Sequence, residues 1–271
     1  AAPGGRAAPG GRAAPGGRAA RRSAAAWARR ALAHYEARRS PLDRGPDPAR
    51  VVPHGRVPFV PGAALLVRRH LRFDETLTSG GEDVDLAWRA PYVRYEPSSH
   101  VAHAHRTTAR AWLARRVYYG RTAAALDRRH PGNARPLHVS PWTTAAWAAL
   151  AARRPTTALA ITAAATALLT RDLPPKSAAE VAALGTLKSG RVVADALTRA
   201  WWPLSALAAL TVPRTRAPLA AAVLTKSPLR LADDLAYGLG LWQGCIAERH
   251  FQALLPARGW RVRRVLGSTS L

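Results

Sequence analysis

The stretch Phe73-Asp74-Glu75-Thr76-Leu77-Thr78-Ser79-Gly80-Gly81-Glu82-Asp83-Val84-Asp85-Leu86-Ala87-Trp88-Arg89 decides how the chain is read. It gathers Asp74, Glu75, Glu82, Asp83 and Asp85 in a protein otherwise short of acids, with 16 Asp+Glu against 41 Lys+Arg. Ser79-Gly80-Gly81 reads as a flexible hinge, because glycine takes backbone angles closed to other residues. Behind it the pattern predicts a helix with its acids in the first turn, where the helix dipole favours negative charge. Val84 and Trp88 share one face of that helix, and Asp85 and Arg89, four apart, pair on another. A carboxylate fixed at a helix start beside a glycine loop suits a general base that takes the proton of an attacking alcohol. The same pattern also serves as a simple helix cap.

Working outward, Ala63-Ala64-Leu65-Leu66-Val67 reads as a strand stopped by Arg68-Arg69-His70, and Tyr92-Val93-Arg94-Tyr95 as a second strand running into Glu96-Pro97. Strand, helix and strand in that order predict part of an α/β layer. Upstream, Trp27, Ala31, Leu32 and Tyr35 recur at spacings of three and four, so a helix is expected from Ala24 to Arg39. Ser40-Pro41 ends it, and a loop rich in Pro, Asp and Gly follows to about Arg56. Residues 1–18 repeat Ala-Ala-Pro-Gly-Gly-Arg three times. With alanine as their only apolar content these repeats cannot bury a core or act as a secretory signal, and residues 1–23 read as a disordered low-complexity segment.

Beyond Pro141 the composition shifts. Residues 142–152, 155–170, 200–212, 217–225 and 235–247 are Ala/Leu/Trp-rich stretches separated by Arg, Pro or Lys. None reaches the roughly 20 apolar residues of a clean transmembrane helix. Basic residues flank the stretch from Pro155 to Thr170, and Trp142, Trp147, Trp201 and Trp202 sit at stretch ends as interfacial aromatics would. Plain core packing explains the tryptophans equally well. The expected organisation is a partial α/β domain over 24–140 followed by a mostly helical, membrane-associated region over 141–271.

The formal net charge of +25 over 271 residues excludes an ordinary near-neutral enzyme surface. Arginine is spread along the whole chain, without zinc-finger spacing, an RNP-like motif or a helix-turn-helix signal, so nucleic acid is not the expected partner. An anionic membrane surface or a phosphorylated substrate fits better. Cys245 stands alone, which rules out a disulfide or a cysteine zinc site within one chain. The chain begins with Ala and contains no Met, so it reads as a fragment.

Phe-Asp-Glu, a spacer, Gly-Glu-Asp-Val-Asp-Leu-x-Trp-Arg, Val-Arg-Tyr-Glu-Pro and a histidine-rich end together resemble the second half of a family 2, inverting glycosyltransferase with the GT-A fold. Tyr35-Glu36-Ala37-Arg38, Ser40-Pro41-Leu42-Asp43, Val57-Pro58-Phe59-Val60-Pro61, Trp112 to Gly120, His130-Pro131-Gly132, Ser140-Pro141-Trp142 and Asp233-Asp234-Leu235-Ala236-Tyr237-Gly238 extend the likeness, over about residues 30–260, to the mycofactocin-system glycosyltransferases. The resemblance implies an acceptor side in the chain and a nucleotide-binding half, with its metal-holding D-x-D motif, outside it. Asp83-Val84-Asp85 spells D-x-D but lies in the acceptor-side motif.

By that resemblance Asp83 is the catalytic base, Glu82 an orienting contact, and Asp85, Trp88 and Arg89 flank the acceptor. The implied reaction passes a sugar, glucose from UDP-glucose, to a hydroxyl of a peptide-derived or glycan acceptor with inversion. His103 and His105, two apart and so on one side of an extended segment, are the candidate ligands of an implied Mg²⁺ or Mn²⁺; a solvated or hydrogen-bonded histidine is the other reading. Arg115, Arg116 and Tyr119 fall where relatives contact the donor diphosphate, a task suited to guanidinium forks. The implied location is the cytoplasmic side of the cell membrane. One departure stands out, since only Ala90-Pro91-Tyr92 separate Arg89 from Val93, where the family has a longer turn. Two further readings remain: a cell-envelope rhamnosyl or galactosyl transferase acting on a lipid-linked acceptor, and a non-catalytic basic protein binding membranes or nucleic acid.

Overall fold

The computed structural model describes residues 16–39, 43–78, 80–99, 101, 104 and 106–257. It is mostly helical. The helices are α1 (Gly16–Arg39), α2 (Glu82–Arg89), α3 (Ala109–Arg129), α4 (Pro141–Ala151), α5 (Pro155–Leu169), α6 (Pro175–Arg199), α7 (Trp202–Thr211), α8 (Arg216–Leu224) and α9 (Pro228–Ala247). Strands β1 (Ala49–Arg50) and β2 (Arg94–Tyr95) pair antiparallel, with Ala49 opposite Tyr95 and Arg50 opposite Arg94.

The α/β layer expected around α2 is therefore corrected. Residues 63–67 form no strand, and Leu66 stands fully exposed. An apolar run becomes a strand only where a neighbour takes up its backbone hydrogen bonds, and no such neighbour lies alongside among the described residues. The second expected strand is cut to Arg94–Tyr95, and its partner comes from the stretch read as loop. Val51, Val57, Val60 and Ala87 pack together beneath this small sheet, with Val93 and Tyr95 against them.

The helical expectations fare better. Each Ala-rich stretch beyond Pro141 falls in a helix, and α6 adds a long one between them. Proline at the first turn of α4 and α9 follows a serine cap, Ser140 and Ser227, whose hydroxyl accepts a backbone N–H. Helix α1 begins at Gly16, earlier than expected, so residues 16–18 of the repeat are helical; residues 1–15 lie outside the described residues.

The structural spine is the α3/α9 pair. A Cβ placed on Gly120 would lie 2.0 Å from the Tyr237 carbonyl oxygen, and one on Gly240 would lie 1.9 Å from the Val117 carbonyl oxygen. Glycine at both positions lets the two backbones meet almost directly. Ala123, Ala124, Leu241 and Cys245 fill the interface beside them, and Ala253 and Leu254 close it. Trp147 and Trp201 serve the helical packing: their indole N–H groups donate to the carbonyls of Thr186 and Leu254 at 2.7 and 2.6 Å. Among the described residues no helix is long and apolar enough to cross a membrane.

Candidate functional site

Gly80 and Gly81 both take positive φ, 88° and 89°, a region that strains other residues, and this turn starts α2 without a side-chain cap. The acids are thus not used as the cap; they project from the first turn. Asp83 Oδ2 accepts the Gly62 N–H at 2.8 Å and Oδ1 accepts the Val84 N–H at 2.8 Å, which fixes the carboxylate in one orientation. It lines an open cavity of about 1710 Å³, larger than the roughly 300–1,000 Å³ of a pocket for one small ligand.

Four of the residues selected from the sequence share that cavity: Asp83, Arg115, Arg116 and Tyr119. Arg115 lies over the rings of Tyr118 and Tyr119, 5.0 and 5.5 Å from their centroids, and is half-buried. Arg116 is buried and bonds Glu36, while its Nε lies 3.3 Å from Asp233 Oδ1 without the alignment of a hydrogen bond. Glu36 also accepts the Trp112 indole N–H at 2.9 Å, and Asp233 accepts the Tyr35 hydroxyl at 2.8 Å. Burial and the Asp233 charge push the Tyr35 phenol above its ordinary range. This network ties α1, α3 and α9 together, and it joins three segments that carried the resemblance.

Glu82, Asp85, Trp88 and Arg89 stand apart from the cavity lining. Glu82 is exposed. Asp85 is fully buried: Arg89 Nε donates to Oδ2 at 2.7 Å, and His130 Nε2 lies 2.9 Å from Oδ1. Trp88 donates to the Pro58 carbonyl at 2.7 Å and meets the His130 ring edge-on, while Arg89 donates to the Arg72 carbonyl at 2.8 Å. These three side chains fasten α2 to α3 and to the loops on either side, and so hold Asp83 in place. The two carboxylates of Asp83-Val84-Asp85 have separate partners and do not converge. His103 and His105 lie outside the described residues, among which no cluster of three or more His, Cys, Asp or Glu could hold a metal ion.

Sequence reasoning missed Gly62, His130 and Arg44. Val57 to Pro61 and His130-Pro131-Gly132 were visible as motifs, but nothing local says that Gly62 meets Asp83 or that His130 meets Asp85. Arg44 packs over the Phe59 ring, 3.7 Å from its centroid, and burial lowers its guanidinium from the ordinary value while the Asp83 and Asp43 charges oppose the shift.

The segments that meet at this site also match known proteins. Pre-mycofactocin glycosyltransferases from two strains of Mycobacterium tuberculosis are each 38% identical over 266 aligned positions, covering 83% of this chain and 56% of the relative. The chain is related to the mycofactocin-system glycosyltransferases. It spans little more than half the length of these curated mycofactocin-system relatives. No protein-family model matches the chain, and no solved structure gives a significant match.

Proposed function

We propose that the chain forms the acceptor side of a mycofactocin-system glycosyltransferase, moving glucose from UDP-glucose to a hydroxyl of a peptide-derived acceptor with inversion. The observation that carries this reading is the Asp83 carboxylate, oriented by the Gly62 and Val84 amides and opening on a cavity that also reaches Arg115, Arg116 and Tyr119. Asp83 accepts the acceptor hydroxyl's proton as that oxygen attacks the anomeric carbon from the face opposite the leaving nucleoside diphosphate. Arg115, at the cavity wall, offsets the charge that gathers on the departing phosphate. Glu82, exposed on the same turn but outside the cavity lining, orients the part of the acceptor that extends beyond the cavity.

Attack on one face with departure from the other inverts the anomeric centre, as the family 2, GT-A-type reading requires, so the single-displacement step stands or falls with the product's stereochemistry. The Mg²⁺ or Mn²⁺ implied by the resemblance finds no cluster of three or more ligands among the described residues, and His103 and His105 lie outside them. We further propose association with the cytoplasmic face of an anionic membrane. Exposed Leu159, Leu187, Leu210 and Leu224 on α5 to α8, in the same helical region as exposed Arg154, Arg171, Lys176 and Arg214, support it.

The test is to incubate the complete gene product with UDP-glucose and the peptide-derived acceptor and to read the product's anomeric coupling by NMR. A product of β configuration, formed only when both substrates are present, is expected from the α-linked donor. Transfer with retention, or transfer only to a lipid-linked glycan from a rhamnosyl or galactosyl donor, would overturn the reading.

A further inference from the structure

A second, smaller cleft of about 490 Å³ lies where the C-terminal ends of α1 and α6 meet the start of α9. Arg38, Arg39, Arg44, Arg116, Arg199 and Arg230 line it, against only two lining carboxylates, Asp43 and Asp233. It shares Asp43 and Arg116 with the Asp83 cavity and no other residue. Cations in the last turn of a helix ordinarily offset its dipole, which explains Arg38, Arg39 and Arg199 in part. Arg44 and Arg230 belong to neither helix end.

The guanidiniums of this cleft differ in how fully their hydrogen bonds are met. Arg199 bonds Asp234 at 3.0 Å and lies over the Tyr237 ring, and Arg230 approaches Asp234 and Asp195. By contrast Arg44 Nε and Nη2 are buried donors with no hydrogen-bond partner among the described residues, whereas Arg116, only 6% exposed, bonds Glu36 and keeps its Nε 3.3 Å from Asp233 Oδ1 without hydrogen-bond alignment. Arg38 and Arg39 are exposed and make no ion pair among the described residues. Buried donors are nearly always satisfied in folded proteins, and an orphaned guanidinium fork takes two oxygens of a carboxylate or a phosphate; with six arginines and two carboxylates lining the cleft, the multiply charged phosphate is the better match.

We propose that this arginine cleft is a binding site for a phosphate-bearing anion, separate from the donor diphosphate at the Asp83 cavity. Arg44 supplies the buried donors, and Arg38 and Arg39 close over the anion from the solvent side. The phosphate belongs either to a lipid headgroup or to a soluble phosphorylated compound. The site goes beyond the glycosyl-transfer reading and does not depend on it.

Inorganic pyrophosphate titrated into the full chain by calorimetry tests the site, with Arg38→Ala/Arg39→Ala as one variant and Arg44→Gln as another. The double variant changes exposed residues and leaves the fold intact. One equivalent of pyrophosphate should bind, and each variant should weaken it about tenfold or more, the scale of removing one charge-assisted hydrogen bond. Saturating UDP-glucose should leave that binding in place. Displacement by phosphatidic acid vesicles, but not by phosphatidylcholine vesicles, assigns the site to a lipid headgroup; without it, the site takes a soluble phosphate compound. Absence of binding, unchanged affinity in both variants, or displacement by UDP-glucose would overturn the proposal.

Discussion

At the residue scale the account turns on how two neighbouring aspartates diverge. Asp83 is partly exposed and held by backbone amides at a cavity, whereas Asp85 is buried and committed to Arg89 and His130. Two positions on one turn thus point to opposite sides of a short helix; the i, i+4 spacing predicts the Asp85–Arg89 pair, but nothing local discloses His130 as its second partner. Titratable residues elsewhere set the pH behaviour. The His138 and His54 rings stack with centroids 3.6 Å apart, and burial, together with the His54 charge, pushes His138 down from 6.5 to about 4. A histidine depressed in the fold binds its proton more readily when unfolded, so its contribution to stability is complete above about pH 6.5 and is lost as the pH falls toward 4. Thermal unfolding between about pH 7.5 and 4.5 should show the midpoint dropping on acidification, and His138→Gln should flatten that drop. An equally steep fall in the variant would contradict the assignment.

At the element scale, patterning along one segment was legible and pairing between segments was not. The Ala-rich stretches announce their own helices, because period, serine caps and N-terminal prolines are all local. The expected strand at 63–67 fails because strand formation depends on a partner elsewhere in the chain. Ala49–Arg50 instead pairs with Arg94–Tyr95, a segment far along the sequence. The ion-pair network of Glu36, Arg116 and Asp233 was hidden for the same reason: each residue lay in a visible motif, but only the α1/α3/α9 packing joins them. The close approach of α3 and α9 gives a direct test. Gly240→Ala drives a methyl group into the Val117 carbonyl, and α3 and α9 must separate to admit it. A loss of about 1–3 kcal/mol in urea unfolding is expected. No loss would mean that the helices do not approach so closely.

At the scale of the whole molecule, 41 basic residues against 16 acidic ones first suggest a general polyanion binder, but the structure sorts that charge by use. Some arginines are spent internally, as Arg116 and Arg89 are. Others, Arg154, Arg171 and Arg214 among them, are exposed in the helical region that also exposes the leucines of α5 to α8, and a third group converges on a cleft lined by only two carboxylates. The acids are correspondingly few. Asp85, Asp127, Asp233 and Asp234 are buried partners of arginine, whereas the Asp83 carboxylate is both fixed and open to the large cavity. The likeness to the mycofactocin-system glycosyltransferases covers 83% of the chain. The central claim is that Asp83 removes the acceptor proton. The most direct measurement compares glucosyl transfer by the complete gene product with that of Asp83→Asn, which keeps the shape and an acceptor oxygen for Gly62 but cannot serve as a base. The account predicts a fall in turnover of about 10²–10⁴-fold with little change in the KM for UDP-glucose; transfer at the original rate would contradict it.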